Sequence, residues 1–177
     1  MAAGPQGRLR VMIGAMPRRA EPPSGDFLYE HPIEVRFVDT DAFGHINNAT
    51  YLSYFEAARA GYYAKVTGSP FMTGAHGLRH TFVIAEAHIA YRSPALFGEL
   101  LLAGVRFSWV GRSSFGLEYR IRADKSAVGD ARDVATGETL QVMFDLERSR
   151  VMRVPADLIA LFEKFEGRSI PRRQATG

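Results

Sequence analysis

The stretch Ala49-Thr50-Tyr51-Leu52-Ser53-Tyr54-Phe55-Glu56-Ala57-Ala58-Arg59-Ala60-Gly61-Tyr62-Tyr63-Ala64-Lys65-Val66 decides the fold. Read as a helix, it places Tyr51, Leu52, Tyr54, Phe55, Ala57, Ala58, Ala60, Tyr62 and Tyr63 around nearly its whole circumference. A helix that is apolar almost all round is a buried one. Asn47 or Asn48 caps its start, because a short side-chain oxygen satisfies a free first-turn N–H. Thr67-Gly68-Ser69-Pro70 ends it. Phe71 to Arg79 is then a glycine-containing connection.

What buries this helix lies on both sides of it in the chain. Before it, Pro32 to Val38 alternates Ile33, Val35 and Phe37 with Glu34, Arg36 and Val38, an extended run. After it come four period-2 segments. Their apolar sets are Val83, Ala85, Ala87, Ile89 and Tyr91, then Leu101, Ala103, Val105, Phe107 and Trp109, then Phe115, Leu117, Tyr119 and Ile121, then Leu140, Val142, Phe144 and Leu146. Gly111-Arg112 reads as a tight turn, and Val128-Gly129-Asp130 and Thr136-Gly137 punctuate the approach to the last segment. Short connections between alternating strands imply an antiparallel sheet with one face covered. Pro155 opens a short closing helix, Ala156 to Phe165, with Leu158, Ile159, Leu161, Phe162 and Phe165 on its apolar side. The expected architecture is α+β: an antiparallel sheet of about five strands wrapped around one long helix, followed by a short C-terminal helix. It leaves apolar edges uncovered, so self-association is expected.

The chain of 177 residues suits one domain, here 27–167, between a disordered leader at 1–26 and a disordered tail at 168–177. For the leader, the alternatives are a targeting segment or a true start at Met12 or Met16. Apolar residues make up 46% and charged residues 23%, the balance of an ordinary globular protein. The net charge of +3 derives largely from arginines in the two end segments, so no basic stripe marks a nucleic-acid-binding face. The absence of cysteine excludes disulfides, thiolate catalysis and cysteine-held metal, and fits the cytoplasm. No apolar run reaches the roughly 20 residues that span a bilayer.

The chemistry-bearing segment is the loop Asp39-Thr40-Asp41-Ala42-Phe43-Gly44-His45 ahead of the helix. First-turn N–H groups have no intrahelical acceptor, and the helix dipole adds partial positive charge there. A carbonyl oxygen aimed at them is polarised, and the oxyanion formed on attack is stabilised. A nearby carboxylate, Asp41, either attacks the carbonyl or takes a proton from water. Acyl transfer asks for no cofactor beyond these parts.

The run from Val35 to Arg59, with its Asp-x-Asp-x-x-Gly-His-x-Asn-Asn core followed by Tyr51 and Tyr54-x-Glu56-x-x-Arg59, resembles the 4-hydroxybenzoyl-CoA thioesterase-like branch of the hotdog superfamily. The likeness continues through Val83-Ile84-Ala85-Glu86, Tyr91-Arg92-Ser93-Pro94, Gly111-Arg112-Ser113-Ser114-Phe115 and Ala135-Thr136-Gly137-Glu138-Thr139, covering roughly residues 29–155. It implies a hotdog fold and acyl-CoA hydrolysis. Asp41 matches the catalytic carboxylate, and the backbone N–H of Asn48 matches the donor to the thioester oxygen. Gly44 lets the loop approach the substrate, and Glu56 faces the acyl group in some members. His45, Asn47 and Tyr51 complete the expected substrate-binding set. The resemblance also implies a homodimer or homotetramer with the site at the subunit boundary, along which pantetheine enters. His45-Ile46-Asn47-Asn48 stands where the aromatic-CoA enzymes carry more apolar residues, so a fatty or other acyl group competes with hydroxybenzoyl as substrate. The near-neutral middle of the chain favours CoA over an acidic carrier protein.

Each residue also has a plainer role. Asp39 reads as a structural acceptor for loop amides, and His45 as a loop-ordering hydrogen-bond partner. Tyr51, Tyr54 and Phe55 read as core. Glu56 either pairs with Arg59 or faces the pocket. Arg92 and Arg112 are solvated strand-end cations or contacts for CoA phosphates. His76, His80 and His88 lack metal-ligand spacing. A dehalogenase-type phosphatase shares the Asp-x-Asp motif but requires alternating strands and helices around a parallel sheet. A hotdog hydratase or dehydratase, or a non-catalytic acyl-CoA-binding protein, keeps the fold without hydrolysis.

Overall fold

A computed structural model describes residues 25–68 and 80–173. The elements are β1 (Glu30–Glu34), a 3-10 turn (Phe37–Asp39), α1 (Thr50–Thr67), β2 (His80–Tyr91), β3 (Leu100–Val110), β4 (Ser114–Ala123), β5 (Arg132–Asp145), β6 (Arg150–Val151) and α2 (Ala156–Glu166). The strands form one six-stranded antiparallel sheet in the order β1-β3-β4-β5-β2, with β6 added to the end of β5. The sheet curls around α1 and covers most of its apolar residues, but not the whole circumference: Leu52, expected with the buried set, is 47% exposed. Tyr51, Tyr54, Phe55, Ala58, Tyr62 and Tyr63 are buried, and the Phe55 ring stacks on Tyr119 of β4 at 4.3 Å. Gly68, at φ 71° in the left-handed region, ends the helix by donating its N–H to the Ala64 carbonyl at 2.9 Å. The connection expected at Phe71 to Arg79 lies outside the described residues.

Inward faces of β3 and β4 follow the expected alternation as far as Phe107: Leu101, Ala103, Val105 and Phe107, and Phe115, Leu117, Tyr119 and Ile121, are all buried. A bulge between Phe107 and Trp109 then shifts the phase, so that Val110 is buried and Trp109 only partly so. Elsewhere the pattern is corrected. The first strand begins at Glu30 and ends at Glu34. The chain then tightens into the 3-10 turn and leaves Phe37 78% exposed. On β2, Val83 is exposed, because a bulge between Ile84 and Glu86 switches the phase. Phe82 and Ile84 lie opposite Met143 and Gln141, whereas Ala87, Ile89 and Tyr91 lie opposite Thr139, Gly137 and Ala135.

On β5 the apolar phase is reversed. Thr139, Gln141 and Met143 are buried, while Leu140, Val142 and Phe144 are only partly so. The polar residues face inward because α1 carries a buried cation. Arg59 donates to the Tyr119 hydroxyl at 3.1 Å, and that hydroxyl is 3.1 Å from Thr139 Oγ1. Burying a charge demands such partners. Thr136-Gly137, expected as a turn, lies within β5. A Cβ at Gly137 would collide with the Phe55 ring and the His88 carbonyl, so glycine there admits the helix to the sheet.

At the rear of α1, Phe162 of α2 packs on Phe107, Tyr62 and Tyr63 with ring centroids 4.7, 5.0 and 5.9 Å away. Residues 168–173, expected to be a disordered tail, instead run back to β3. Ile170 is buried and Arg172 bridges Val110, whose N–H donates to the Pro171 carbonyl and whose carbonyl accepts the Arg173 N–H, both at 2.9 Å. The Arg173 guanidinium lies over Trp109 at 4.9 Å. Of the leader, only Gly25 and Asp26 are described. The Asp26 carbonyl accepts a hydrogen bond from Arg106 at 3.2 Å. Among the described residues no helix is long and apolar enough to cross a membrane.

Candidate active site

The loop between the 3-10 turn and α1 folds back on itself. Asp41 N–H donates to the His45 carbonyl at 2.9 Å, and Gly44 N–H donates to the Asp41 carbonyl at 3.0 Å. Gly44 sits at φ 80°, a conformation side-chain-bearing residues rarely adopt. Thr40 and Ile46 pair as a β-bridge, and Asn47 N–H reaches the Asp39 carbonyl at 2.8 Å. Ile46, buried at 2% exposure, donates its N–H to the Ala95 carbonyl at 2.9 Å and anchors the loop to the segment after β2. This closure carries the chain from Asp41 directly back to the tip of α1.

The two loop aspartates have opposite environments. Asp39 is buried. It accepts the Arg36 N–H at 2.9 Å, the Arg36 guanidinium at 3.1 and 2.7 Å, and the Tyr54 hydroxyl at 3.1 Å. Those bonds from Arg36 hold its carboxyl below the ordinary carboxylate range. Burial, reinforced by Asp39, pushes the Tyr54 hydroxyl up, so it remains a donor. Asp39 is thus the structural acceptor its type suggests. Asp41 is partly exposed and makes one side-chain hydrogen bond among the described residues, Oδ1 accepting the Phe43 N–H at 2.8 Å. His45 Nδ1 lies 3.5 Å from the same oxygen, and the His45 ring stacks on Phe43.

The tip of α1 is capped from two residues further out than the helix boundary implies, since the residue before Thr50, Ala49, offers no side-chain cap. Asn47 Oδ1 accepts the Ala49 N–H at 2.9 Å, and the Asn47 carbonyl accepts the Thr50 N–H at 2.9 Å. The Asn48 N–H makes no hydrogen bond among the described residues. Asn47 and Asn48 are both exposed.

The remaining expected site residues divide. Tyr51 is buried at 3% exposure with its ring edge-on to Tyr54 and Tyr91, so it belongs to the wall of the core. Glu56 is exposed and paired with Arg59. Tyr91, which the sequence pattern marks only as a strand residue, also reaches this junction. Its hydroxyl donates to the Asn48 carbonyl at 3.0 Å, joining the end of β2 to the tip of α1. Only the register of β2, hidden by the bulge, reveals this contact. Among the described residues, no three His, Cys, Asp or Glu side chains converge as a metal site.

Comparison with known proteins gives this fold a family. Of the solved structures, a thioesterase from Thermus thermophilus, crystallised with coenzyme A and zinc, is 32% identical with a TM-score of 0.68, covering 81% of this chain and 98% of its own. A 4-hydroxybenzoyl-CoA thioesterase variant bound to 4-hydroxybenzoyl-CoA superposes with a TM-score of 0.67 at 21% identity, over 75% of this chain and 96% of its own, a likeness of fold. The long-chain acyl-CoA thioesterase FadM of Escherichia coli is 38% identical over 69 residues, 39% of this chain and 50% of FadM. The chain aligns with only 60% and 50% of the length of the curated relatives it matches. The family model of the thioesterase-like superfamily matches residues 35–162, from just after β1 through most of α2. This hotdog-fold chain belongs to the thioesterase-like superfamily.

Proposed function

We propose that the protein is an acyl-CoA thioesterase, cleaving an acyl thioester to the free acid and CoA at the loop–helix junction. The observation that carries the reading is the loop closure that returns the chain, within a few residues of the sparsely bonded Asp41, to a helix tip whose Asn48 N–H has no partner among the described residues. The thioester oxygen accepts that N–H, and the positive end of α1 favours the oxyanion as the carbonyl carbon is attacked. Asp41 either takes a proton from the attacking water and passes it to the leaving sulfur, or attacks the carbonyl itself to give a mixed anhydride that water then hydrolyses. In the second route the departing thiolate takes its proton from solvent. In both, the C–S bond breaks, CoA leaves as thiol and the acyl group as free acid. Gly44, His45 and Asn47 shape the loop around the reacting carbon, with Tyr51 behind it. Exposed Glu56 stands further along α1 toward the acyl group.

Choice of CoA over an acidic carrier protein is supported by the near-neutral middle of the chain, which offers no basic patch for such a carrier. The reading includes a homodimer. β2 is an edge strand with Val83 49% and Ile84 44% exposed, and a long apolar edge of this kind calls for a second chain. Assay of the full chain against acyl-CoAs of varied chain length and aromaticity, with a thiol reagent, tests the proposal. Turnover of at least one is expected, and Asp41→Asn abolishes nearly all of it. A chain that binds acyl-CoA without releasing thiol would be the non-catalytic alternative.

A further inference from the structure

We infer that Tyr91 is a positioning residue for the acyl-transfer step, its hydroxyl fastening the Asn48–Ala49 peptide so that the neighbouring Asn48 N–H stays open to the thioester oxygen. This rests on the thioesterase reading above and adds to it a residue outside the loop and the helix.

In a regular α-helix each carbonyl accepts an N–H four residues on. For Asn48 that donor is Leu52 N–H, yet Leu52 bonds the Ala49 carbonyl instead, at 3.3 Å. The Asn48 carbonyl is thereby released from the helix and accepts the Tyr91 hydroxyl at 3.0 Å. On the other side of the same peptide, the Ala49 N–H is held by Asn47 Oδ1 at 2.9 Å. The preceding peptide has its carbonyl held by Thr50 N–H, also at 2.9 Å. Among the described residues, every backbone polar atom at the tip, from the Asn47 carbonyl to the Ala49 N–H, is therefore engaged except the Asn48 N–H.

Tyr91 itself is well fixed. It is the last residue of β2, opposite Ala135, and its ring meets Tyr51 of the first helical turn edge-on at 5.2 Å. Burial raises its hydroxyl above the ordinary tyrosine range, so it remains a protonated donor throughout neutral pH. Oxyanion stabilisation depends on a donor being fixed before charge develops. A tip peptide free to rock spreads the Asn48 N–H over many directions, which weakens transition-state binding more than substrate binding.

The test compares full-length wild type, Tyr91→Phe and Asp41→Asn on whichever acyl-CoA the wild type hydrolyses best. It also follows hydrogen exchange at the Ala49 amide. Phenylalanine keeps the ring against Tyr51 and deletes only the hydroxyl. We expect kcat to fall about 10-fold in Tyr91→Phe, a fraction of the roughly 10²–10³ for losing a whole donor, with KM within about twofold. Ala49 exchange should quicken while the melting temperature holds. Unchanged kcat overturns the inference, and so does a parallel loss of kcat, substrate affinity and melting temperature, the mark of a purely structural contact. If the wild type hydrolyses no acyl-CoA, the thioesterase reading and this inference fall together. If Asp41→Asn keeps full turnover while Tyr91→Phe loses it, the carboxylate assignment fails and the tethered amide stands.

Discussion

The two ends of α1 are built to opposite rules. At the rear, Tyr62 and Tyr63 are locked among Phe107, Phe115, Phe82 and Phe162, and the Tyr62 hydroxyl is closed off by Glu166. That carboxylate also takes the Phe107 N–H at 2.8 Å. At the front, among the described residues, the helix tip keeps an amide unpaired, and the loop that leads to it holds a carboxylate with a single side-chain hydrogen bond. One end commits its groups to stability; in the proposed function the other withholds them for chemistry. The division lies within one helix because a helix has a positive end to offer a ligand, and its other end is free to be core.

The comparison would break if front and rear substitutions had the same kind of effect. The largest separation is expected for Asp41→Asn. Steady-state assay should show kcat lower by about 10²–10⁴-fold, while the melting temperature moves by no more than a few degrees, since among the described residues the Asp41 side chain holds the Phe43 N–H and the His45 contact alone. Equal losses of activity and stability would place Asp41 among the structural carboxylates. At the rear, Phe162→Ala should cost about 3–5 kcal/mol in urea unfolding and leave kcat per folded molecule unchanged. A kcat loss without a stability loss would show that the rear reports to the site.

A sharper comparison lies two residues from Asp41. Asp39→Asn removes the charge that Arg36 and Tyr54 bond, and should cost about 1–3 kcal/mol of stability. Its kcat should stay well above that of Asp41→Asn when both are assayed on folded protein. The smallest effect is in acid. Arg36 depresses the folded-state titration of Asp39 below the ordinary 3.8, so the stability it contributes is fully present above that value. It is lost as pH falls through the lower folded value. Glu30, depressed by Arg122, acts in the same acid window. Asp39→Asn should therefore shallow, without flattening, the stability curve below about pH 4 in thermal unfolding. A curve of unchanged slope would remove Asp39 from the acid-sensitive set.

Most of the fold is legible in the sequence because β4, β3 as far as Phe107 and most of α1 bury the residues that their periods announce. Legibility fails where burial and polarity part company. Leu140, Val142 and Phe144 look like a core face, but Arg59 on the facing helix claims Tyr119 and, through it, Thr139, and the strand turns its polar side inward. On β2 one inserted residue, Ala85, shifts the phase, and no local signal marks it. Of the candidate site, the turn at Asp41 and Gly44 and the cap at Asn47 are legible, because turn and cap chemistry is local. Glu56 reads correctly as paired with Arg59 in one of its two alternatives. Tyr91 is beyond reach, since its partner lies 43 residues away and depends on that register.

The strap formed by α2 and residues 168–173 bears on how the chain is made. Tyr62 and Tyr63 are synthesised early, but Phe162, Glu166 and Ile170, which cover this end of the core, leave the ribosome about a hundred residues later. Throughout that interval the nascent helix has no lid over its rear aromatics. A growing polypeptide is therefore most in need of chaperone protection while β2 to β6 are emerging, and a message cut short before codon 162 yields a product with its aromatic cluster bare.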